Sequence, residues 1–278
     1  MTNLRQRWAT AAVLAALCSC GEDTPLSVEI TTGHEEGSLS ADPAVAEVEI
    51  VAQTPDGSVK LRATAAPGEE FDLGDAPDSS QLAFELTGRT ADGTVVARGR
   101  SVRLTLGSLN TDAVPLFIQR LGGFARPPSE LVRAHVHAPA GVVGENFLVA
   151  TGGDAAYGED GPVDPALGDF YDFIFLIGRE SPSVLPRAAR SMLARNTTLI
   201  LIDDEGASYA DLSEGTTSDI DPPEGMTWDE VSGGETIDLL GDDLPGLSYV
   251  VGATRPDEPT DAVLVLDDSG SMSVVRLS

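Results

Sequence analysis

The chain has 278 residues, 41% hydrophobic and 22% charged. That is enough apolar content for packed cores and too much for wholesale disorder. Seventeen Lys and Arg against 45 Asp and Glu give a net charge of −28. Such a surface repels phosphate backbones, which excludes nucleic-acid binding as the function.

Arg5 and Arg7 form a short cationic start, followed by an apolar run from Trp8 to Leu17. The run is about ten residues long, whereas a spanning helix needs roughly 20, so it fits the apolar region of a secretory signal. It ends in Leu17-Cys18-Ser19-Cys20-Gly21. This ending resembles the lipobox of bacterial lipoprotein signal peptides. Small Ser19 before Cys20 fits that pattern better than bulky Leu17 before Cys18. The resemblance implies cleavage after residue 19, lipidation of the Cys20 thiol, and a membrane partner reached through the lipid. Gly21 stands where an aspartate favours retention in the inner membrane, so an outer-membrane or other cell-envelope location is expected. The 258 residues after Cys20 contain no cysteine. They hold no disulfide, no zinc–cysteine site and no cysteine nucleophile.

Residues 20–43 are polar and small, and read as the lipidated Cys20 with a flexible tether; Leu26 to Ile30 could form a short first strand within it. His34 is expected as a solvated tether residue. Period-two alternation begins at Ala44. Val45 to Val51 and Ser58 to Thr64 flank the turn Pro55-Asp56-Gly57. Gln81 to Thr87 and Thr94 to Arg98 flank Ala91-Asp92-Gly93. Ser101 to Leu106 and Ala113 to Ile118 complete the set. Glycine tolerates positive φ and proline presets a turn, so these are hairpin signals. The pattern predicts an immunoglobulin-like antiparallel β-sandwich over 44–121.

Gly122-Gly123 and Pro127-Pro128 then punctuate the chain. Beyond them, apolar strands start at Phe147, Leu199 and Tyr249, which are 52 and 50 residues apart. Secondary strands are expected at Tyr171 to Ile177, Trp228 to Val231 and Ala262 to Leu266. A period of about 50 residues matches a kelch-type propeller blade. Arg133-Ala-His135, then Leu148-Val-Ala-Thr-Gly152-Gly153, then Tyr171-Asp172, resembles the kelch pattern of bacterial surface lipoproteins. In that pattern Gly152 and Gly153 are structural. The second copy keeps Pro186-Arg187-Ala-Ala-Arg190 and a late Trp228. The third keeps only the strand rhythm. The fold class expected is all-β: a sandwich followed, over 126–278, by a partial or irregular kelch-like β-propeller of about three blades. A compact irregular β domain is the competing architecture. Three blades fall short of the four to eight that close a propeller, and an exposed last strand invites self-association.

Asp267-Asp-Ser269-Gly-Ser271, after the strand Ala262 to Leu266, resembles the cation-binding loop of von Willebrand factor A domains. That resemblance implies hard oxygens from Asp267, Ser269 and Ser271 around Mg²⁺ or Ca²⁺. The alternative is an aspartate-rich hairpin turn. From Asn196 to Thr254 there are 14 Asp and Glu and no Lys or Arg. Asp219-Ile-Asp221-Pro-Pro-Glu224-Gly225 with Glu230 is a near miss to a calcium loop, with its glycine displaced. His135 and His137 lie two apart on an expected strand, which puts them on one face, although packing is the plainer role. No nucleophile elbow, phosphate loop or carboxylate pair stands out. The expected function is therefore a non-catalytic, lipid-anchored envelope protein with an unidentified protein or glycan ligand and no cofactor. The alternatives are a Ca²⁺- or Mg²⁺-dependent adhesion module on Asp267, Ser269 and Ser271, and a carbohydrate-acting propeller.

Overall fold

The computed structural model describes residues 27–35, 37–69, 71, 81–109, 113–144, 146–156, 159–162, 168–180, 185–234, 236–239, 247–251, 262–267 and 271–276. The segment read as a secretory signal, with Cys18 and Cys20, lies outside them. The chain is all-β.

In the first body, alternation along the chain builds one large sheet. Its strands are β2 (Glu47–Gln53), β3 (Val59–Ala65), β4 (Gln81–Arg89), β5 (Val95–Arg100), β6 (Leu104–Thr105) and β8 (Gln119–Arg120). The order is β3-β2-β4-β5-β8, with β6 on β4, and every pairing is antiparallel. Val48, Ile50 and Ala52 of β2 and Leu82, Phe84 and Leu86 of β4 are buried on one face. Each large side chain among them contributes about 1.5–3 kcal/mol by leaving water. The opposite face carries polar and charged side chains, with Arg62 and Arg89 paired to Glu49.

The second layer is small. β1 (Val28–Thr31) pairs in parallel with β7 (Val114–Phe117). Val28, Val114, Leu116 and Ile118 complete the core from this side. The strand through Ile118 passes from β7 into β8, so one chain segment belongs to both layers. Three expectations need correction here. The short strand allowed for at Leu26 to Ile30 forms as β1, but the rest of the stretch read as tether is folded too: β1 is held by β7, and the Arg120 guanidinium donates to the Ser38, Ala41 and Pro43 carbonyls. Ser101 to Leu106 is a strand only at Leu104–Thr105, and Leu106–Ser108 coils into a 3₁₀ turn. The parallel β1–β7 pair departs from a purely antiparallel sandwich.

The two expected turns close alike. In each, an aspartate accepts from the threonine hydroxyl two residues before it: Thr54 to Asp56 at 2.5 Å, and Thr90 to Asp92. The next residue is a left-handed glycine, Gly57 at φ 80° and Gly93 at φ 86°, a conformation glycine adopts without steric cost. The aspartate then accepts from the following amide, Ser58 at 3.2 Å and Thr94 at 3.1 Å.

The second body is three successive four-stranded antiparallel sheets. The first has β9 (Ala140–Val143), β10 (Phe147–Thr151), β13 (Gly168–Asp172) and β14 (Ile177–Glu180), with the hairpin β11 (Asp154–Ala156) and β12 (Glu159–Pro162) between β10 and β13. The second is β15 (Ser191–Arg195), β16 (Thr198–Ile202), β17 (Ala207–Asp211) and β18 (Thr216–Ile220). The third is β19 (Thr236–Leu239), β20 (Leu247–Val251), β21 (Ala262–Leu266) and β22 (Met272–Arg276). Each sheet runs in simple chain order.

Two apolar layers join them. Val143, Val149 and Phe170 of the first sheet pack on Met192, Leu199, Leu201 and Ala210 of the second. Leu193, Ile200, Ile202 and Ala207 of the second pack on Ala262, Leu264 and Leu266 of the third. The connecting segments plug each layer: Leu185 and Ala189 in one, Met226, Trp228 and Val231 in the other. The second sheet thus buries both faces. That is why Leu199-Ile-Leu-Ile202 is a continuous apolar run rather than an alternation. The first strand of the second sheet, β15, lies beside β9 of the first sheet and beside β20, and to a lesser extent β19, of the third. Among the described residues the three sheets form an open array and do not close into a ring.

Tyr171 to Ile177 is not one strand: Tyr171 and Asp172 end β13, residues 173–176 form the hairpin turn, and Ile177 begins β14. Trp228 to Val231 is a 3₁₀ turn over Trp228–Glu230, closed by a capping box in which Glu230 accepts from the Thr227 amide at 2.7 Å. The indole N–H of Trp228 donates to the Ile220 carbonyl at 3.2 Å, which satisfies the polar end of a buried aromatic.

Candidate functional site

The first sheet is organised around a carboxylate that the sequence reading did not single out. Asp169, on β13, is fully buried. Its Oδ1 accepts from the Arg133 guanidinium at 2.5 Å, and its Oδ2 accepts from the Arg133 amide at 2.9 Å. His135 Nε2 lies 3.0 Å from the same Oδ2, while its Nδ1 lies 2.9 Å from the Gly152 carbonyl. The His135 ring thus bridges the buried carboxylate and the Gly152 turn. The Arg133 guanidinium supplies the charge, and its amide a second donor, that a buried carboxylate needs. Arg133 also reaches Glu180 at 3.2 Å.

Gly152 and Gly153 let the chain pass this cluster. Both are left-handed, at φ 68° and 75°. A Cβ on Gly153 would sit 2.5 Å from the Val136 carbonyl oxygen and 2.7 Å from the Ala138 Cβ. His135 and His137 do not share a strand face. Residues 133–137 form no strand, His137 is exposed with φ 59°, and the His135 side chain is turned inward. The backbone follows the Gly152-Gly153 turn here instead of a sheet ladder, so period two does not apply.

In the second sheet Arg187 takes the place of Arg133. It donates to the Ser208 hydroxyl at 2.8 Å and to Asp203 at 2.6 Å, and its third contact is Asp219 at 3.3 Å. Hydrogen bonds from Ser208 and Arg187 hold the Asp219 carboxyl below its ordinary value. Arg190 pairs with Asp204 and Arg276 with Glu230. The Arg276 contact, with the Thr227 amide, lowers Glu230. The acidic stretch from Asn196 to Thr254 is therefore neutralised in part by arginines on either side of it. Asp219 and Glu230, named in the near-miss calcium loop, are spent on these contacts. Asp267 accepts from the Ser271 amide at 3.0 Å, and its own amide donates to the Ser271 carbonyl at 3.1 Å. Ser269 lies outside the described residues. Among the described residues no three His, Cys, Asp or Glu side chains converge in a way that would hold a metal ion.

Between the first two sheets, at the end opposite the Leu185 plug, lies an open cleft of about 480 Å³. Its walls are Val143, Phe147, Phe170 and Leu212. The two phenylalanines meet edge to face, with centroids 6.1 Å apart and planes at 88°. The rim carries Asn146, Thr197, Ser213, Arg179 and Glu180. Four of these five are engaged. Thr197 and Ser213 donate to Asp211. Arg179 pairs with Asp172 at 3.1 Å and lies over the Phe175 ring. Glu180 pairs with Arg133. The Asn146 carboxamide makes no hydrogen bond among the described residues. Volume and lining fall in the range of small-molecule sites, mostly apolar with a few polar groups. The sequence held one signal of this cleft, the aromatic pair at the start of β10 and in the middle of β13, but nothing in it says that Leu212 and Thr197 close the opposite wall.

These features define an all-β protein whose second body is a row of four-stranded antiparallel sheets with a cleft between the first two. No protein-family model matches the chain, and no curated protein matches it in sequence. Among solved structures, that of YjhT is similar at 14% identity and a TM-score of 0.37, over 70% of this chain and 62% of that one. The chain thus spans under two thirds of the length of that protein. No helix among the described residues is long and apolar enough to cross a membrane.

Proposed function

We propose that the chain is a lipid-anchored cell-envelope protein whose second body binds a ligand and performs no chemistry on it. The anchor is Cys20, on the strength of Leu17-Cys18-Ser19-Cys20 behind a short cationic and apolar leader. Acyl methylenes contribute about 0.8 kcal/mol each on burial, so a multiply acylated end holds to a bilayer. The binding reading is carried by one observation. The cleft between the first two sheets has apolar walls, and its ionisable rim groups, Arg179 and Glu180, are already paired with Asp172 and Arg133. A catalytic acid or base must reach the reacting atom within hydrogen-bond distance, often oriented by a second group; on this rim the ionisable side chains instead make ion pairs across the wall, Arg179 with Asp172 and Glu180 with Arg133. Here the charges are used to hold the walls in place.

Metabolic labelling with a palmitate analogue, followed by membrane fractionation, tests the anchor. The wild type should carry label and sediment with the envelope, and Cys20→Ser should do neither. Label retained in Cys20→Ser overturns the assignment.

A further inference from the structure

We infer that the cleft between the first and second sheets takes one uncharged, mainly apolar molecule bearing a single hydrogen-bonding group, with Asn146 as the partner of that group. This rests on the binding reading above and names the ligand class. Apolarity follows from the walls. Val143, Phe147, Phe170 and Leu212 offer a ligand no hydrogen bonds, and a polyhydroxylated molecule would bury hydroxyls without partners at a cost for each. The single polar group follows from the rim. Thr197 and Ser213 already donate to Asp211, which leaves the Asn146 carboxamide, a donor and acceptor with no hydrogen bond among the described residues, at the mouth.

Exclusion of anions follows from charge. Arg179 is the cation on the rim, and Asp172 balances it. Glu180 is 64% exposed, and Asp211 lies behind Thr197 and Ser213. The whole chain carries −28, a field that opposes an incoming anion.

The test uses two dyes that share one skeleton, neutral N-phenyl-1-naphthylamine and its sulfonated analogue 8-anilino-1-naphthalenesulfonate. The protein is the full chain carrying Cys20→Ser, so that neither acyl chains nor detergent take up dye. The neutral dye should bind at one equivalent with a blue-shifted emission. The sulfonate should bind at least tenfold more weakly. Ser213→Phe, in the exposed turn after β17, should block the mouth and weaken the neutral dye at least tenfold while thermal unfolding shows the fold intact. Asn146→Ala should weaken it severalfold. Equal binding of both dyes, with both blocked by Ser213→Phe, overturns the ligand class and leaves the binding reading standing. Neutral-dye binding untouched by Ser213→Phe overturns the site. Absence of binding by either dye to the folded protein overturns this inference and the binding cleft together.

Discussion

Asp172 and Asp211 occupy the same position in two successive sheets. Each ends a third strand and caps the turn that follows. Asp172 accepts from the amides of Ile174 and Phe175 at 2.9 and 3.3 Å. Asp211 accepts from those of Ser213 and Glu214 at 2.8 and 3.2 Å. Four residues beyond each aspartate the chain turns left-handed, at Leu176 with φ 53° and at Gly215 with φ 66°. The turns between first and second strands repeat in the same way, with Gly144 at φ 60° matched by Asn196 at φ 49°. The repeat is thus carried by turn geometry more faithfully than by side-chain identity.

The Leu176–Gly215 pair gives an asymmetric prediction. A left-handed residue with a Cβ costs about 1–2 kcal/mol, and a glycine costs roughly 0.5–1 kcal/mol in chain entropy. Leu176→Gly should therefore leave stability within about 1 kcal/mol of the wild type. Gly215→Leu should lower it by at least about 1 kcal/mol. Urea unfolding midpoints at constant slope decide the matter, and equal losses in both variants would refute the turn equivalence.

At the double glycine the two sources of strain add. Gly153→Ala meets both a left-handed φ and a backbone oxygen 2.5 Å from the new Cβ. Gly93→Ala meets the φ alone, because nothing lies within 4 Å of its Cβ. The expected losses are more than about 2 kcal/mol for the first and about 1 kcal/mol for the second. Thermal unfolding of the two variants side by side provides the comparison.

Removing the buried carboxylate leaves the Arg133 guanidinium, the Arg133 amide and the His135 ring nitrogen without their partner. Asp169→Ala should cost about 3–5 kcal/mol, the usual consequence of stranding a buried charge partner. The triple variant Asp169→Leu, Arg133→Met, His135→Phe should lose far less than the three single losses added together, because no charge is then left stranded. A full double-mutant cycle between Arg133 and Asp169, measured in denaturant, reads the coupling directly. Additive losses would show that the two side chains act independently.

Acid sensitivity should come from the turn aspartates. Hydrogen bonds hold Asp56, Asp92 and Asp211 below the ordinary value of 3.8, led by the hydroxyls of Thr54, Thr90 and Ser213 respectively. A folded value below the unfolded one means that the stability they contribute is fully present above about pH 4. It is lost as pH falls through the folded values. The combined variant Asp56→Asn, Asp92→Asn, Asp211→Asn should unfold at a lower temperature at pH 7. Its unfolding temperature should also fall less than that of the wild type between pH 5 and pH 2.5. A parallel pH dependence in the two proteins would remove these aspartates as the cause.

Period-two alternation marked β2 to β5 and both Asp-Gly turns, because each sandwich strand shows one face to the core and one to water, and that contrast is written residue by residue. The 50-residue rhythm marked the second strand of each of the three sheets, as apolar runs rather than as alternation. The sequence also carried the charge, the lack of cysteines after Cys20 and the leader pattern, all of which need no folding to be read. What it did not disclose depends on residues far apart. The strand Val28–Thr31 showed in the sequence only as a short option at Leu26 to Ile30, and its parallel pairing with Val114–Phe117 not at all. His135 looked like one of two histidines on a strand until Asp169, 34 residues later, drew it inward. The acidic stretch looked unpaired because its arginines, Arg187, Arg190 and Arg276, lie outside it. The cleft needs walls from two sheets and a turn from each. Alternation and turn chemistry act between near neighbours and leave a local trace, whereas a buried ion pair or a cavity is a meeting of distant segments that only their packing brings together.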